Sequence, residues 1–260
     1  MIITTYNEGK NLGKTLRSLL SQSVQCNIII VDSMSTDNTK DIVASFNTEK
    51  ILFNQKQCSR GEGRNIGVNL TDSENILFTD GDAIPDEKWV EGMVRALDKF
   101  DLVAGKTITE GPKRYSRFKR VELSYGGFEI TAPSMNLGLK RKVFLAVHGF
   151  DNRMITAEDI DLNLRVLLGG YRGGYCEHCI VYHNSRNTLI SFLKQAFWNG
   201  YGRAQLKNKN KDIFDKLQKG SIYKGEIGII WFLRNVWAVM GYLWFLLSGK
   251  KKFNRVLVSQ

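Results

Sequence analysis

Cysteine is scarce, with four in 260 residues at positions 26, 58, 176 and 179. The opening residues carry no secretory signal, so the count argues against a disulfide scaffold and for a reducing compartment. Cys176-Glu-His-Cys179, with His183 nearby, has the spacing of half a zinc site, but there is no second Cys-x-x-Cys. A strand over 174–182 would send Cys176 and Cys179 to opposite faces, which makes a shared metal awkward. Also lacking is the interleaving of aromatic and basic residues that marks RNA- and DNA-binding motifs. No nucleic-acid partner is therefore expected, although 37 Lys and Arg against 26 Asp and Glu leave a net charge of +11. That surplus suits phosphates or anionic lipid. It gathers at Lys113, Arg114, Arg117, Lys119 and Arg120, at Lys207, Lys209 and Lys211, and at Lys250, Lys251, Lys252 and Arg255.

The rest of the composition, 43% apolar and 24% charged, is that of a globular chain able to bury a core. Short apolar runs alternate with helical spacings. Residues 1–5 read as a strand, 11–22 as a helix with Leu12, Leu16, Leu19 and Leu20 on one face, and 27–32 as a strand closed by Asp32. A helix with Ile42, Val43 and Phe46 follows, then a strand at 51–53, a helix at 61–70 and a strand at 76–79. This pattern predicts an α/β fold: a mostly parallel, Rossmann-like sheet covered by helices on both faces, with ligands at the carboxyl ends of the strands. Beyond Trp89 the alternation loosens and predicts a mixed sheet, a helix starting near Thr156, and another over 187–206.

The apolar run at 75–79 stops on Asp80-Gly81-Asp82. In an extended chain residues i and i+2 point the same way, so both carboxylates could face one Mg²⁺ or Mn²⁺ and leave positions for substrate oxygens. The competing reading is a turn, which Asp-Gly favours. In chain order the sequence carries Thr4-Thr5-Tyr6-Asn7-Glu8, then 30–39 (Ile-Val-Asp-Ser-Met-Ser-Thr-Asp-Asn-Thr), Gly63-Arg64-Asn65-Ile66-Gly67, Asp80-Gly81-Asp82 and Glu158-Asp159. Over residues 1–203 this series resembles the family 2 inverting glycosyltransferases of GT-A fold.

The resemblance implies a nucleotide-diphosphate-sugar donor (UDP or GDP sugar), a divalent metal and an acceptor hydroxyl. Thr4, Tyr6, Glu8 and Asp32 match the nucleotide-binding positions, with strand-end capping and packing as the alternative for Thr4 and Tyr6. Asp80 and Asp82 match the metal and diphosphate site, and His183 stands where such enzymes place a histidine that completes the metal shell. Arg64 would bring a cation to the phosphates, or lie on a helix surface. Asp159 matches the catalytic base, with Glu158 or Asp161 as substitutes; the spacing of Thr156 to Asp159 is also that of a helix N-cap with an acid at the third helical position. Two departures are visible. Ser33 follows Asp32 where many relatives have a second acid, so the base of the nucleotide stays open. Gln195-Ala196-Phe197-Trp198 lacks the arginine of the processive Gln-x-x-Arg-Trp motif, which predicts transfer of one sugar; Trp198 and Arg203 remain candidates for the acceptor or a phosphate.

Residues 227–247 form the most apolar stretch, long enough to cross a bilayer. Basic residues flank both ends (Lys224; Lys250 to Lys252), so neither end is marked as the outside. Arg234, Asn235, Ala238 and Gly241 fall on one helical side, and Trp231, Trp237 and Trp244 supply interfacial aromatics. A helix or helical pair in the membrane surface is expected ahead of a single span, with a helix buried on the catalytic domain as the competitor. The expected layout is a catalytic domain over 1–206, a basic linker over 207–226 and a membrane-associated segment over 227–260. The expected function is transfer of a sugar to a polyprenyl-linked or glycolipid acceptor at the cytoplasmic face of the cell membrane, by a peripheral or monotopic protein. A soluble or cell-surface polysaccharide precursor is the alternative acceptor, and an inactive nucleotide-sugar binder the alternative class.

Overall fold

The computed structural model describes residues 1–112, 115, 118, 121–184, 188–220 and 228–249. The basic clusters at 113–120 and 250–255, and Lys224, lie outside them.

Three βα units open the chain: β1 Ile2–Thr5 with α1 Leu12–Leu20, β2 Ile28–Asp32 with α2 Thr39–Ala44, and β3 Ile51–Gln55 with α3 Arg60–Asn69. Helix α3 begins where Ser59 accepts from the Glu62 N–H, half of a capping box. Next come β4 Asn75–Asp80, β5 Ala83–Pro85, α4 Trp89–Leu97 and β6 Leu102–Glu110. After β7 Leu123–Tyr125, β8 Phe128–Glu129 and a 3₁₀ turn at Ser134–Asn136 come β9 Leu137–Lys140 and α5 Arg141–Ala146. The chain continues through α6 Glu158–Leu168, β10 Gly173–Asn184, α7 Leu189–Lys209, α8 Lys211–Phe214, β11 Gln218–Lys219 and α9 Ile229–Trp244, which runs on as a π-helical turn, Phe245–Gly249.

Eight strands form one sheet in the order β3-β2-β1-β4-β9-β6-β10-β5. The first four are mutually parallel; β9 runs against both β4 and β6, and β5 against β10. The mixed sheet predicted beyond Trp89 is therefore present. Successive strand residues serve opposite faces: Ile2, Ile29 and Phe78 pack with Val68, Phe144 and Leu162 from α3, α5 and α6, while Ile3, Ile28 and Ile30 pack with Leu12, Leu16 and Val43 from α1 and α2. The chain leaves β1 toward β2 and β3 and returns to β4 on β1's other side, which opens a crevice at the carboxyl ends of β1 and β4.

Residues 207–219 are not the linker expected. Lys209 enters a buried ion network, Leu217 joins the core, and β11 pairs with β7 in a second, three-stranded sheet. Helix α9 packs on α7 so closely that a Cβ on Gly200 would meet the Ala238 carbonyl, and one on Gly241 the Phe197 carbonyl; glycine is required at both. Arg234, Ala238, Gly241 and Phe245 lie on the side turned to the domain, Arg234 over the Phe118 ring at 5.7 Å, whereas Asn235 is exposed.

Candidate active site

The carboxyl end of β1 meets that of β2 in a hydrogen-bonded knot. Asp32 is fully buried; it accepts from Thr5 Oγ1 (2.9 Å), the Ser35 N–H (2.8 Å), the Ser35 hydroxyl and Gln55 Nε2 (2.9 Å). The loops beyond are laced together by the Asn7 N–H on Ser35 Oγ (2.8 Å), the Thr36 N–H on Asn7 Oδ1 (2.9 Å) and the Gly9 N–H on Asp37 Oδ2 (3.0 Å). Asn7 takes the left-handed conformation (φ 56°), one that asparagine tolerates. Asp32 thus shapes the floor of the crevice, while Tyr6, 60% exposed, stands at its rim. Thr4 lies level with Asp80 on the neighbouring strand, and Glu8 turns the chain into α1, its carbonyl accepting from the Asn11 and Leu12 N–H groups.

The segment Gly63-Arg64-Asn65 on α3 joins the end of β4 to the start of α6. Arg64 is buried, which excludes the helix-surface reading. It donates from Nη2 to Asp80 Oδ1 (2.8 Å) and from Nη1 to Glu158 Oε1 (3.1 Å), and its guanidinium lies over the Phe150 ring. Asn65 grips the Phe150 backbone at both N–H and carbonyl, each at 2.8 Å, and so fixes the loop that leads to α6.

Asp80 and Asp82 are not a parallel pair on one strand. Strand β4 ends at Asp80, and Gly81-Asp82 is a turn, so the i, i+2 geometry of an extended chain does not apply. Asp80 faces Arg64, whereas Asp82 Oδ2 lies 3.4 Å from His183 Nε2. The pairing of β10 with β5, which sets His183 opposite Ala83, makes that approach. The two half-buried side chains could offer one oxygen and one nitrogen to a divalent cation. Among the described residues no group of three or more His, Cys, Asp or Glu converges, so substrate oxygens and water would supply the remaining ligands.

Helix α6 starts at Glu158, one residue after Ala157, which is left-handed (φ 62°) and caps nothing with its side chain. The predicted Thr156 cap is therefore absent; Thr156 instead lies against Gly202 of α7. A left-handed alanine costs about 1–2 kcal/mol, and it aims the first turn of α6 into the crevice. Asp159 accepts from its neighbour's Ile160 N–H (2.8 Å) and from the Ser134 N–H (3.4 Å). Burial, then the adjacent Glu158 charge, push its carboxyl up to about 6, with Arg64 and Arg60 opposing. Asp161, held as a substitute base, is fully buried and faces Arg165 and Lys209 at 2.8 Å each, turned away from the crevice. On α7, Arg203 donates to the Val121 carbonyl (2.5 Å), and Trp198 packs edge-on against Tyr201 with part of its ring in solvent.

Residues 1–150, more than half of the chain, match the glycosyl transferase family 2 sequence profile. The chain belongs to glycosyl transferase family 2. Curated relatives include the glycosyltransferase AglE of Haloferax volcanii, 28% identical over 79% of this chain and 73% of AglE. Another is the O-antigen chain rhamnosyltransferase WbaN of Salmonella anatum, 26% identical over 77% of this chain and 70% of its own. Among solved structures, the mannosyltransferase PcManGT of Pyrobaculum calidifontis, in complex with GDP-Man and Mn²⁺, superposes with a TM-score of 0.66 at 14% identity, over 99% of this chain and 77% of that one. S. aureus TarS 1-349 with UDP-GlcNAc gives 0.61 at 17% identity, over 94% and 80%. These likenesses establish the GT-A fold of this family 2 glycosyltransferase.

The sequence motifs did not reveal Thr5, Gln55 or the Ser134 N–H. Thr5 read only as a strand residue, Gln55 fell beyond the strand expected over 51–53, and a backbone donor in a 3₁₀ turn leaves no mark in side-chain pattern. One expectation about the cysteines is overturned. Cys176 and Cys179 are not on opposite faces but bonded to each other, because β10 loops out between Cys176 and Ile180 and breaks the alternation.

Proposed function

We propose that this family 2 glycosyltransferase inverts the donor sugar's anomeric centre and transfers one sugar from a UDP or GDP sugar to a hydroxyl of a lipid-borne saccharide. The observation that carries the reading is the buried Arg64, which ties Asp80 beside the donor crevice to Glu158 beside Asp159 and so unites carboxylates from distant parts of the chain in one cleft. The nucleotide would lie over the Asp32 knot with Tyr6 and Thr4 beside it. Asp82 and His183, with Asp80 next to them, would hold Mn²⁺ or Mg²⁺. When bound, that ion would offset the negative charge gathering on the departing diphosphate.

Asp159 is the base. Its carboxylate takes the proton from the acceptor hydroxyl as that oxygen attacks the anomeric carbon from the face opposite the leaving group. With its pKa at about 6 it is ionised at neutral pH, yet more basic than an ordinary aspartate. Glu158 and Arg64 orient the helix end rather than exchange protons. Trp198, on the helix that passes behind Asp159, offers an aromatic edge for an acceptor sugar.

The lipid-borne acceptor rests on α9. The apolar helix Ile229–Gly249 spans 21 residues, is long enough to cross a membrane by length and composition, and is only 11% buried. Ile229, Phe232, Trp237, Val239, Met240, Leu243, Trp244 and Leu247 are all exposed. Its one charge, Arg234, is turned to the domain, on the same side of the helix as Ala238 and Gly241, which pack on α7. That arrangement favours a helix lying in the cytoplasmic membrane face over a free span. The O-antigen chain named for WbaN is consistent with a saccharide acceptor.

A thermal-shift panel of UDP, GDP and their sugars, with and without Mn²⁺, tests the donor site. Metal-dependent stabilisation by one nucleotide is expected, and no response to any would reject the reading. Replacing Trp237, Trp244 and Leu247 by Gln, which spares the face packed on α7, should abolish co-sedimentation with anionic vesicles. Undiminished sedimentation would dismiss the helix as the anchor.

A further inference from the structure

The strand that delivers His183 to Asp82 is interrupted four residues earlier by the cysteine bridge. Strand β10 pairs with β6 from Gly173 (opposite Leu102) to Cys176 (opposite Gly105), and pairing resumes with Ile180 opposite Lys106. Glu177, His178 and Cys179 therefore have no counterparts on β6, and the Cys176–Cys179 bond closes the loop they form. Side chains alternate along a strand, so the number of looped residues decides which face His183 occupies. Looping out one residue more or fewer would turn it away from Asp82.

The same loop is connected to the other half of the site. The Cys179 carbonyl accepts from Asn136 Nδ2 (3.1 Å), and Asn136 Oδ1 accepts from the Trp89 indole N–H (2.7 Å). Asn136, fully buried, closes the 3₁₀ turn whose first residue, Ser134, points its N–H at Asp159. Helix α4 is fitted against the sulfurs: a Cβ on Gly92 would stand 2.7 Å from Cys179 Sγ and 3.4 Å from Cys176 Sγ.

We propose that Cys176 and Cys179 form a redox-responsive site, the bridged form holding His183 against Asp82 and the Ser134 turn against Asp159, and the dithiol form releasing both. This rests on the assignment of Asp82 and His183 to the metal. Cys179 is buried, while Cys176 is partly exposed beside the exposed Glu177 and His178, so an attacking thiolate reaches the Cys176 sulfur. The reductant is of the dithiol class. Its first thiolate bonds to Cys176 Sγ and expels the Cys179 thiolate; its second then closes a disulfide within the reductant and expels the Cys176 thiolate. The protein bridge gains two electrons and two protons, and the dithiol loses the same.

The test uses the full-length chain, prepared bridged and phosphine-reduced. In denaturant the bridged form should titrate two thiols, Cys26 and Cys58, and the reduced form four. Thermal shift is then read against Mn²⁺ concentration at fixed UDP or GDP. The reduced form should need about tenfold more Mn²⁺ for the same shift, as when a support of a metal ligand is lost, and reoxidation should restore the original midpoint. The double variant Cys176→Ala/Cys179→Ala should match the reduced form and ignore reductant. Four thiols in air-oxidised protein, or equal Mn²⁺ midpoints in the two states, would overturn this proposal and leave the donor assignment standing. Absence of any Mn²⁺ response in both states would reject the metal assignment and this proposal with it.

Discussion

Helix α6 carries two acidic clusters three residues apart, and they are balanced in opposite ways. At its first turn Glu158 and Asp159, with Asp80 beside them, are three carboxylates that share two guanidiniums, Arg64 and Arg60. Just inside, Asp161 and Asp151 are two carboxylates served by three cations, Arg153, Arg165 and Lys209. Burial raises both carboxyls, and more strongly at Asp159; the neighbouring charges then separate the two further. Asp159 keeps a raised pKa, whereas Asp151, though burial opposes it, is held well below the usual carboxylate range by hydrogen bonds from Arg153 and Lys209. In the proposed mechanism the under-neutralised carboxylate is the reagent and the over-neutralised pair a brace.

The contrast breaks most sharply at Asp159. Asp159→Asn should bind donor normally yet lose transfer by about 10²–10⁴-fold, the usual contribution of a general base; single-turnover rates at saturating donor check this, and wild-type turnover would remove the base. Lys209→Met removes the cation that Asp151 and Asp161 share, leaving each with one arginine, and should cost about 3–5 kcal/mol in urea unfolding, with the donor-induced thermal shift kept. A loss under about 1 kcal/mol would mean that the inner cluster is not a brace. On the proposed mechanism Asp159 acts ionised, so kcat/KM should fall about tenfold per pH unit below its pKa of about 6 and level off above it. A flat profile between about pH 5 and about pH 8 would contradict a base of that pKa.

The smallest effect has an unusual sign. The folded-state pKa of Asp159 lies above its ordinary value of 3.8, so its ionisation opposes folding; the cost is absent below about pH 4 and grows as pH rises through about 6. Asp159→Asn should therefore be more stable than the parent by about 1–2 kcal/mol at roughly pH 8 and no different at roughly pH 4. Equal stability at both would show that the charge at this position is fully offset.

The first half of the molecule was open to reading from the chain. Ile28 to Asp32 and Asn75 to Asp80 are apolar runs closed by an acid, and the segments beside them carry Leu12, Leu16 and Leu19 or Ile42, Val43 and Phe46 at helical spacing, so the strand–helix alternation and the parallel direction of these strands follow from local pattern. The second half hides its logic. Strand β9, between β4 and β6, lies in a glycine-rich stretch without clear periodicity, and Thr156 offers a cap that the left-handed Ala157 makes unnecessary.

By itself the sequence determined which chemical groups the crevice would own and which strands would carry them, because hydrophobic period and acidic strand ends are properties of neighbouring residues. Tertiary structure alone decided how those groups are used. Arg64 became a buried tie rather than a surface charge, Asp80 and Asp82 turned to different partners, Cys176 met Cys179 across a looped strand, and α9 spent its polar side on α7 and left its apolar side bare. Each depends on contacts between residues far apart in the chain, where the electrostatic environment and the available space are set by partners that no local pattern contains.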